Sequence, residues 1–145
     1  MPELPEVETI CIALRPHLVD AVIDGVTVRN GALRTPVDLD ALPATVTGRR
    51  ITAVRRRGKF IIVELDDLGA LLLHLGMTGS FRVEPRGAPP RKHDHVEWRL
   101  GDGNVWRLND PRRFGMVLAC AVPAPGAGTA QARTIPKRLG SLSRQ

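Results

Sequence analysis

Apolar residues near the start of the chain recur at helical spacing. Val7, Ile10, Cys11 and Leu14 fall three and four positions apart and would line one face of a helix. The run from Pro5 through EVETICIALRPHLV reads as that helix. Proline is tolerated in a first turn, and Glu6 and Glu8 complement the positive end of the helix dipole. Pro16 is expected to disturb the last turn, because it has no amide hydrogen to donate.

The pattern then shortens to strand-type runs: AVIDGVTVRN, RRITAVRRR, KFIIVEL, GALLLHLG, GSFRVE, DHVEWRL, NVWRLN and FGMVLA. Turn signals separate them at Arg57-Gly58, Asp66-Asp67, Gly76–Gly79, Pro89-Pro90 and Gly101–Asn104. The stretch LGDGNVW has the form of a hairpin turn. Strands this short and closely spaced predict a mainly β fold with some α. The expected form is a sandwich or barrel of antiparallel strands with the N-terminal helix packed on it. Residues 36–48, PVDLDALPATVTG, fit either a short helix or a surface loop.

The length of 145 residues suits one domain with a real core. With three Phe, two Trp and no Tyr, that core must be mostly Val, Leu, Ile and Ala. The apolar runs Ile61–Val63 and Leu71–Leu73 are of strand length, far below the roughly 18–20 residues of a membrane span. The acidic N-terminus lacks the basic and apolar regions of a secretory signal, so a cytoplasmic protein with no membrane association is expected. Cys11 and Cys120 belong to no CxxC pair, and two buried thiols are expected rather than a disulfide or a zinc site. Residues 121–145 are rich in Ala, Gly, Pro and Ser and basic, which predicts a linker or disordered tail after a domain at residues 1–120.

Charge adds a partner. The chain carries 21 Lys and Arg against 15 Asp and Glu, a formal charge of +6. Residues 49–59, RRITAVRRRGK, hold six basic residues and no acid, and no acid follows Asp110. Such blocks suit a polyanion such as nucleic acid, or else form a solvated basic face.

Three segments bear on chemistry. Once Met1 is removed, Pro2 becomes a free secondary amine beside Glu3 and Glu6. An α-amine with a pKa near 8 is partly uncharged at neutral pH and attacks carbonyl carbon, and nearby carboxylates can move the protons. The same residues also serve simply to open a helix. HLGMTG and NDPRRFG each put a large side chain in a turn: Met77 beside Gly76 and Gly79, Phe114 between Arg113 and Gly115. Exposed wedges of this kind fill the space left by an extruded base, though each residue alone also fits a core position beside a strand. His93-Asp94-His95 places two His at i, i+2, but no further ligands accompany them and no metal is expected.

Taken together, MPELPEVET, NGALRTPV, RRRGKFIIVEL, HLGMTGSFRV, KHDHVEW and NDPRRFG resemble the formamidopyrimidine-DNA glycosylases, bacterial base-excision enzymes for oxidised purines, over about residues 1–119. Leu4-Pro5 favours them over the related endonuclease VIII group, which usually has Gly-Pro there. The resemblance implies that Pro2 attacks C1′ of the damaged nucleotide and that Glu3 moves protons in ring opening and elimination, with Glu6 a supporting carboxylate. It implies that Lys59 and His93 bind phosphate at the lesion. Met77, Arg112 and Phe114, with Arg113 beside them, would enter the base stack, Arg112 meeting the orphaned base.

The implied partner is double-stranded DNA containing 8-oxoguanine, a formamidopyrimidine or an abasic site, acted on by a monomer with glycosylase and AP lyase activity. The family's helix-two-turn-helix and four-cysteine zinc-finger domains have no counterpart in this sequence, so no cofactor is expected. The alternative expectation is a truncated remnant that binds DNA with little or no catalysis.

Overall fold

Short strand-type runs build two four-stranded antiparallel sheets in the computed structural model of the chain, which describes residues 4–67 and 69–121. A helix, α1 (Leu4–Leu18), leads into β1 (Ile23–Val28) and a short helix, α2 (Ala41–Val46). Seven strands follow: β2 (Ile51–Arg57), β3 (Phe60–Leu65), β4 (Gly69–His74), β5 (Ser80–Pro85), β6 (Asp94–Leu100), β7 (Asn104–Asn109) and β8 (Met116–Ala121). One sheet has the order β1-β6-β7-β5, the other β2-β3-β4-β8. The mainly β sandwich with an N-terminal helix is therefore the observed fold. The tail from residue 122 lies outside the described residues.

Of the face that its spacing predicts, Val7, Cys11 and Leu14 join the core with Leu18, Ile10 is only partly buried against it, and α1 packs along β2. It also runs through Pro16 to Leu18, and the amide of Val19 still reaches the Arg15 carbonyl at 3.0 Å. Proline removes one donor only, and the buried Leu18 holds the final turn against the core. Residues 36–48 resolve into α2, which buries Leu42 and Val46. Cys11 and Cys120 are both buried and form no disulfide, and burial with Glu8 nearby pushes Cys11 up to about 11.

In the β1-β6-β7-β5 sheet the two-residue period separates two chemistries. Trp98 and Trp106 face each other across β6 and β7 and stack in the core with ring centroids 4.1 Å apart. Their neighbours in sequence, Glu97 and Arg107, pair on the opposite face. There Arg82, Arg107 and Glu97 form a register row, and ion pairs join Arg82 to Glu84 and Asp94, Arg107 to Glu84 and Glu97, and Arg29 to Glu97.

Asp94 anchors this network at the start of β6. It takes both Arg82 nitrogens at 2.9 and 2.7 Å, the Arg91 amide at 2.7 Å and Asn109 Nδ2 at 2.9 Å. Burial alone pushes its carboxyl up, but the donors from Arg82, Arg91 and Asn109 outweigh it and hold the group well below the usual carboxylate range. The folded pKa thus lies below the unfolded one. The resulting stability is present above about pH 4, the unfolded value, and is lost as pH falls toward the folded value. Asp94→Asn is expected to lose about 1–3 kcal/mol at neutral pH, because it removes charged hydrogen bonds from Arg82 and leaves it paired with Glu84 alone. Urea titrations between pH 2 and 7 should give a flatter stability curve for the variant than for the wild type.

Candidate nucleic-acid interface

One end of the sandwich gathers most of the residues singled out in the sequence. Glu8 of α1 binds Arg56 at 3.2 Å, and Arg56 donates to the Gly58 carbonyl at 3.1 Å. That link sets the first turn of α1, with exposed Glu6, beside the β2–β3 turn that presents Lys59. Phe60 pairs with His74 across β3 and β4, their rings 4.8 Å apart at 64°. His74 then leads into residues 75–79, and Met116 opposite it on β8 follows the 110–115 loop. Pro2 and Glu3 lie outside the described residues.

The two loops touch through backbone. Gly76 has φ 60°, and a Cβ built on it would lie 2.6 Å from the carbonyl carbon of Phe114. Only glycine satisfies both the left-handed backbone and the contact. From this crossing Met77 and Phe114 project outward, 50% and 40% exposed, so neither fills the core. Arg112 and Arg113 are exposed beside Phe114, and Arg113 is held left-handed at φ 57°. Non-glycine residues in that region store strain and cluster at functional sites.

His74 joins this end although no sequence pattern singles it out. Its Nδ1 accepts the Gly76 amide at 2.9 Å. Burial, then the positive charges of Arg34 and Lys59, push its pKa below the ordinary histidine value, which keeps that acceptor nitrogen bare. Thr78 and Asp110 are also absent from the residues that the sequence marks out. Their hydroxyl and carboxylate meet at 2.8 Å between the loops. The signal for them is their place inside HLGMTG and NDPRRFG, where the large residues dominate the pattern.

His93 precedes β6 with φ 71°, and its ring lies edge-on to that of His95, the centroids 5.9 Å apart at 72°. Its carbonyl accepts the Asp110 amide at 3.0 Å. His95 is buried and donates from Nε2 to the Asp110 carbonyl at 2.8 Å. With Asp94 engaged by Arg82, the triplet offers no metal set, and no group of three or more His, Cys, Asp or Glu among the described residues could hold an ion.

The basic block at 49–59 is also less available than its composition suggests. Arg50 pairs with Asp20, Arg55 with Glu64, Arg56 with Glu8, and Arg49 binds the carbonyls of Asp66 and Asp67. Acids from elsewhere in the chain neutralise much of it. Among the described residues no helix is long and apolar enough to cross a membrane.

Gly76→Ala tests the loop crossing. It is expected to destabilise the domain by about 1–3 kcal/mol through the strained backbone and the clash with Phe114. Gly103 provides a control: it is also left-handed, at φ 90°, but a Cβ there would meet nothing within 4 Å. Thermal melts should show Gly103→Ala to be the milder change.

Comparison with known proteins fits this geometry. Residues 1–117 match the family described as the formamidopyrimidine-DNA glycosylase N-terminal domain. The chain is 46% identical over 123 residues to the formamidopyrimidine-DNA glycosylase of Shewanella loihica, covering 85% of this chain and 44% of that protein. It is 51% identical over 118 residues to that of Xanthomonas campestris pv. campestris, covering 81% and 43%. It thus spans less than half the length of these relatives. The structure superposes with a TM-score of 0.76 on the Lactococcus lactis formamidopyrimidine-DNA glycosylase bound non-covalently to DNA containing an AP site, at 32% identity, covering 82% of this chain and 45% of that one. A MutM in complex with DNA containing carbocyclic 8-oxo-G aligns with a TM-score of 0.77, also at 32% identity, covering 83% and 45%. The chain belongs to the formamidopyrimidine-DNA glycosylase family and carries its N-terminal domain.

Proposed function

We propose that this chain supplies the catalytic domain of a base-excision-repair DNA glycosylase with AP lyase activity, acting on oxidised purines in double-stranded DNA. The observation that carries the reading is the pair of outward-pointing apolar side chains, Met77 and Phe114, on two loops locked together and flanked by Arg112 and Arg113. Apolar wedges entering a base stack occupy the space of an extruded nucleotide, and a guanidinium beside them can hydrogen-bond the base left behind. Lys59, in the adjoining β2–β3 turn, and His93, whose carbonyl accepts the Asp110 amide beside the wedge loops, suit the phosphates flanking such a nucleotide.

In this reading the Pro2 amine, freed by loss of Met1, attacks C1′. The N–C1′ bond forms, the glycosidic bond breaks and the base leaves with a proton. The sugar ring opens to an iminium, a strong electron sink. Loss of a C2′ proton to a carboxylate then expels the 3′ phosphate by β-elimination. Glu3 is the nearest carboxylate in sequence, with Glu6 in support.

Borohydride trapping tests the nucleophile. Met-processed protein incubated with abasic-site DNA and sodium borohydride is expected to form a covalent complex. A variant whose N-terminus is extended, placing the Pro2 nitrogen in a peptide bond, is expected to form none. Trapping that survives the extension would move the chemistry to a lysine, with Lys59 the first suspect. Trapping without excision of 8-oxoguanine would favour the second reading, a DNA-binding domain whose excision depends on contacts from outside these 145 residues.

The wedge has its own test. Met77→Ala and Phe114→Ala are expected to change stability by no more than about 0.5 kcal/mol, as exposed positions do. Their affinity for abasic DNA should fall. A stability loss of about 2–5 kcal/mol in melts would mean that these side chains act as core residues.

A further inference from the structure

Asp110 is fully buried, 0% exposed, between the two wedge loops. Its Oδ1 accepts the Thr78 hydroxyl at 2.8 Å and its Oδ2 accepts the Gly115 amide at 2.7 Å. Thr78 Oγ1 in turn accepts the Arg112 amide at 3.2 Å. The Asp110 carbonyl accepts the Arg113 amide at 3.2 Å and His95 Nε2 at 2.8 Å. The amides at 112, 113 and 115 are therefore all tied, directly or through one hydroxyl, to Asp110. A left-handed arginine at 113 persists only where its surroundings over-determine it, and these three ties do so. On the other side, the carboxylate reaches Met77 through its neighbour Thr78. A carboxylate is required because both oxygens receive donors; an amide would turn a donor toward one of them.

We propose that Asp110 is a positioning residue that makes the two loops one body, so that Met77, Arg112 and Phe114 enter DNA as a unit. This rests on the wedge reading above. The buried carboxylate is a clasp: it touches no nucleotide itself, and it fixes the spacing between the side chain carried by one loop and the two carried by the other.

The test uses Asp110→Asn, Thr78→Val and Thr78→Ser in the full 145-residue chain. The first readout needs no DNA. Hydrogen exchange at the Gly76 and Gly79 amides, which bond to His74 and Leu75 and not to Asp110, should accelerate about tenfold in Asp110→Asn and Thr78→Val. Exchange at Trp98 and Trp106 should stay within about twofold. The second readout is fluorescence of 2-aminopurine beside an abasic analogue in duplex DNA. Its rise on binding wild type should be largely lost in both variants and restored in Thr78→Ser. Trapping on single-stranded abasic DNA, which has no stack to enter, should stay within about twofold throughout.

Unchanged exchange at Gly76 and Gly79 would overturn the clasp. Wild-type protein that gives no fluorescence rise would overturn the wedge reading beneath it. Wild-type unstacking that the variants match would overturn the positioning role alone, as would an equal loss of single-stranded trapping, which marks general damage. If Asp110→Asn does not fold, the Thr78 pair decides.

Discussion

Gly76 and the backbone of Phe114 lie too close for any side chain between them. Much of the candidate interface depends on that contact. It brings the β4–β5 connection against the β7–β8 connection, and so joins the ends of two sheets that are otherwise held together by their core. Because the loops meet through backbone, their large side chains cannot pack inward at the crossing and must point out. Exposure of Met77 and Phe114 is thus a steric outcome of a glycine contact.

Behind this end the domain is rigid for two different reasons. On the inner face, stacked Trp98 and Trp106 and the aliphatic residues of β3 and β4 exclude water. On the outer face of β1-β6-β7-β5, arginines and carboxylates satisfy one another in a row. A buried ion pair adds little net stability against an apolar pair, but it tolerates no slip in register, since a one-residue shift strands every charge. Asp94 and Asn109, linked at 2.9 Å, close this network next to the loops. Strand register and loop position are therefore fixed by adjacent residues.

The sequence revealed what repeats and hid what converges. Val7, Cys11 and Leu14 recur at helical spacing, and α1 buries them. DHVEWRL and NVWRLN alternate with period two and become β6 and β7 with the same boundaries. The family was legible because its motifs are contiguous strings. The ion pairs of RRITAVRRRGK are not legible in sequence, since their partners Glu8, Asp20 and Glu64 approach from α1, from the turn after it and from β3. Pro16 breaks less than its ring suggests, because tertiary packing of Leu18 is not a local property. Asp110 and Thr78 lie 32 residues apart, and no periodicity links them. His74 reads as an ordinary strand end until the fold places Arg34 and Lys59 around it.

In the function proposed above, DNA meets this domain at the loop end, and not along its arginine-rich strand or its ion-paired sheet face. Amide chemical-shift mapping during titration with a short abasic-site duplex tests it most directly. Perturbations are predicted to concentrate at residues 58–60, 74–79 and 110–115, with Arg50, Arg55 and the Glu97–Arg107 row left nearly unmoved. A footprint centred on β2 or on the outer face of β1-β6-β7-β5, with the two loops silent, would mean that DNA does not meet the domain at the loop end.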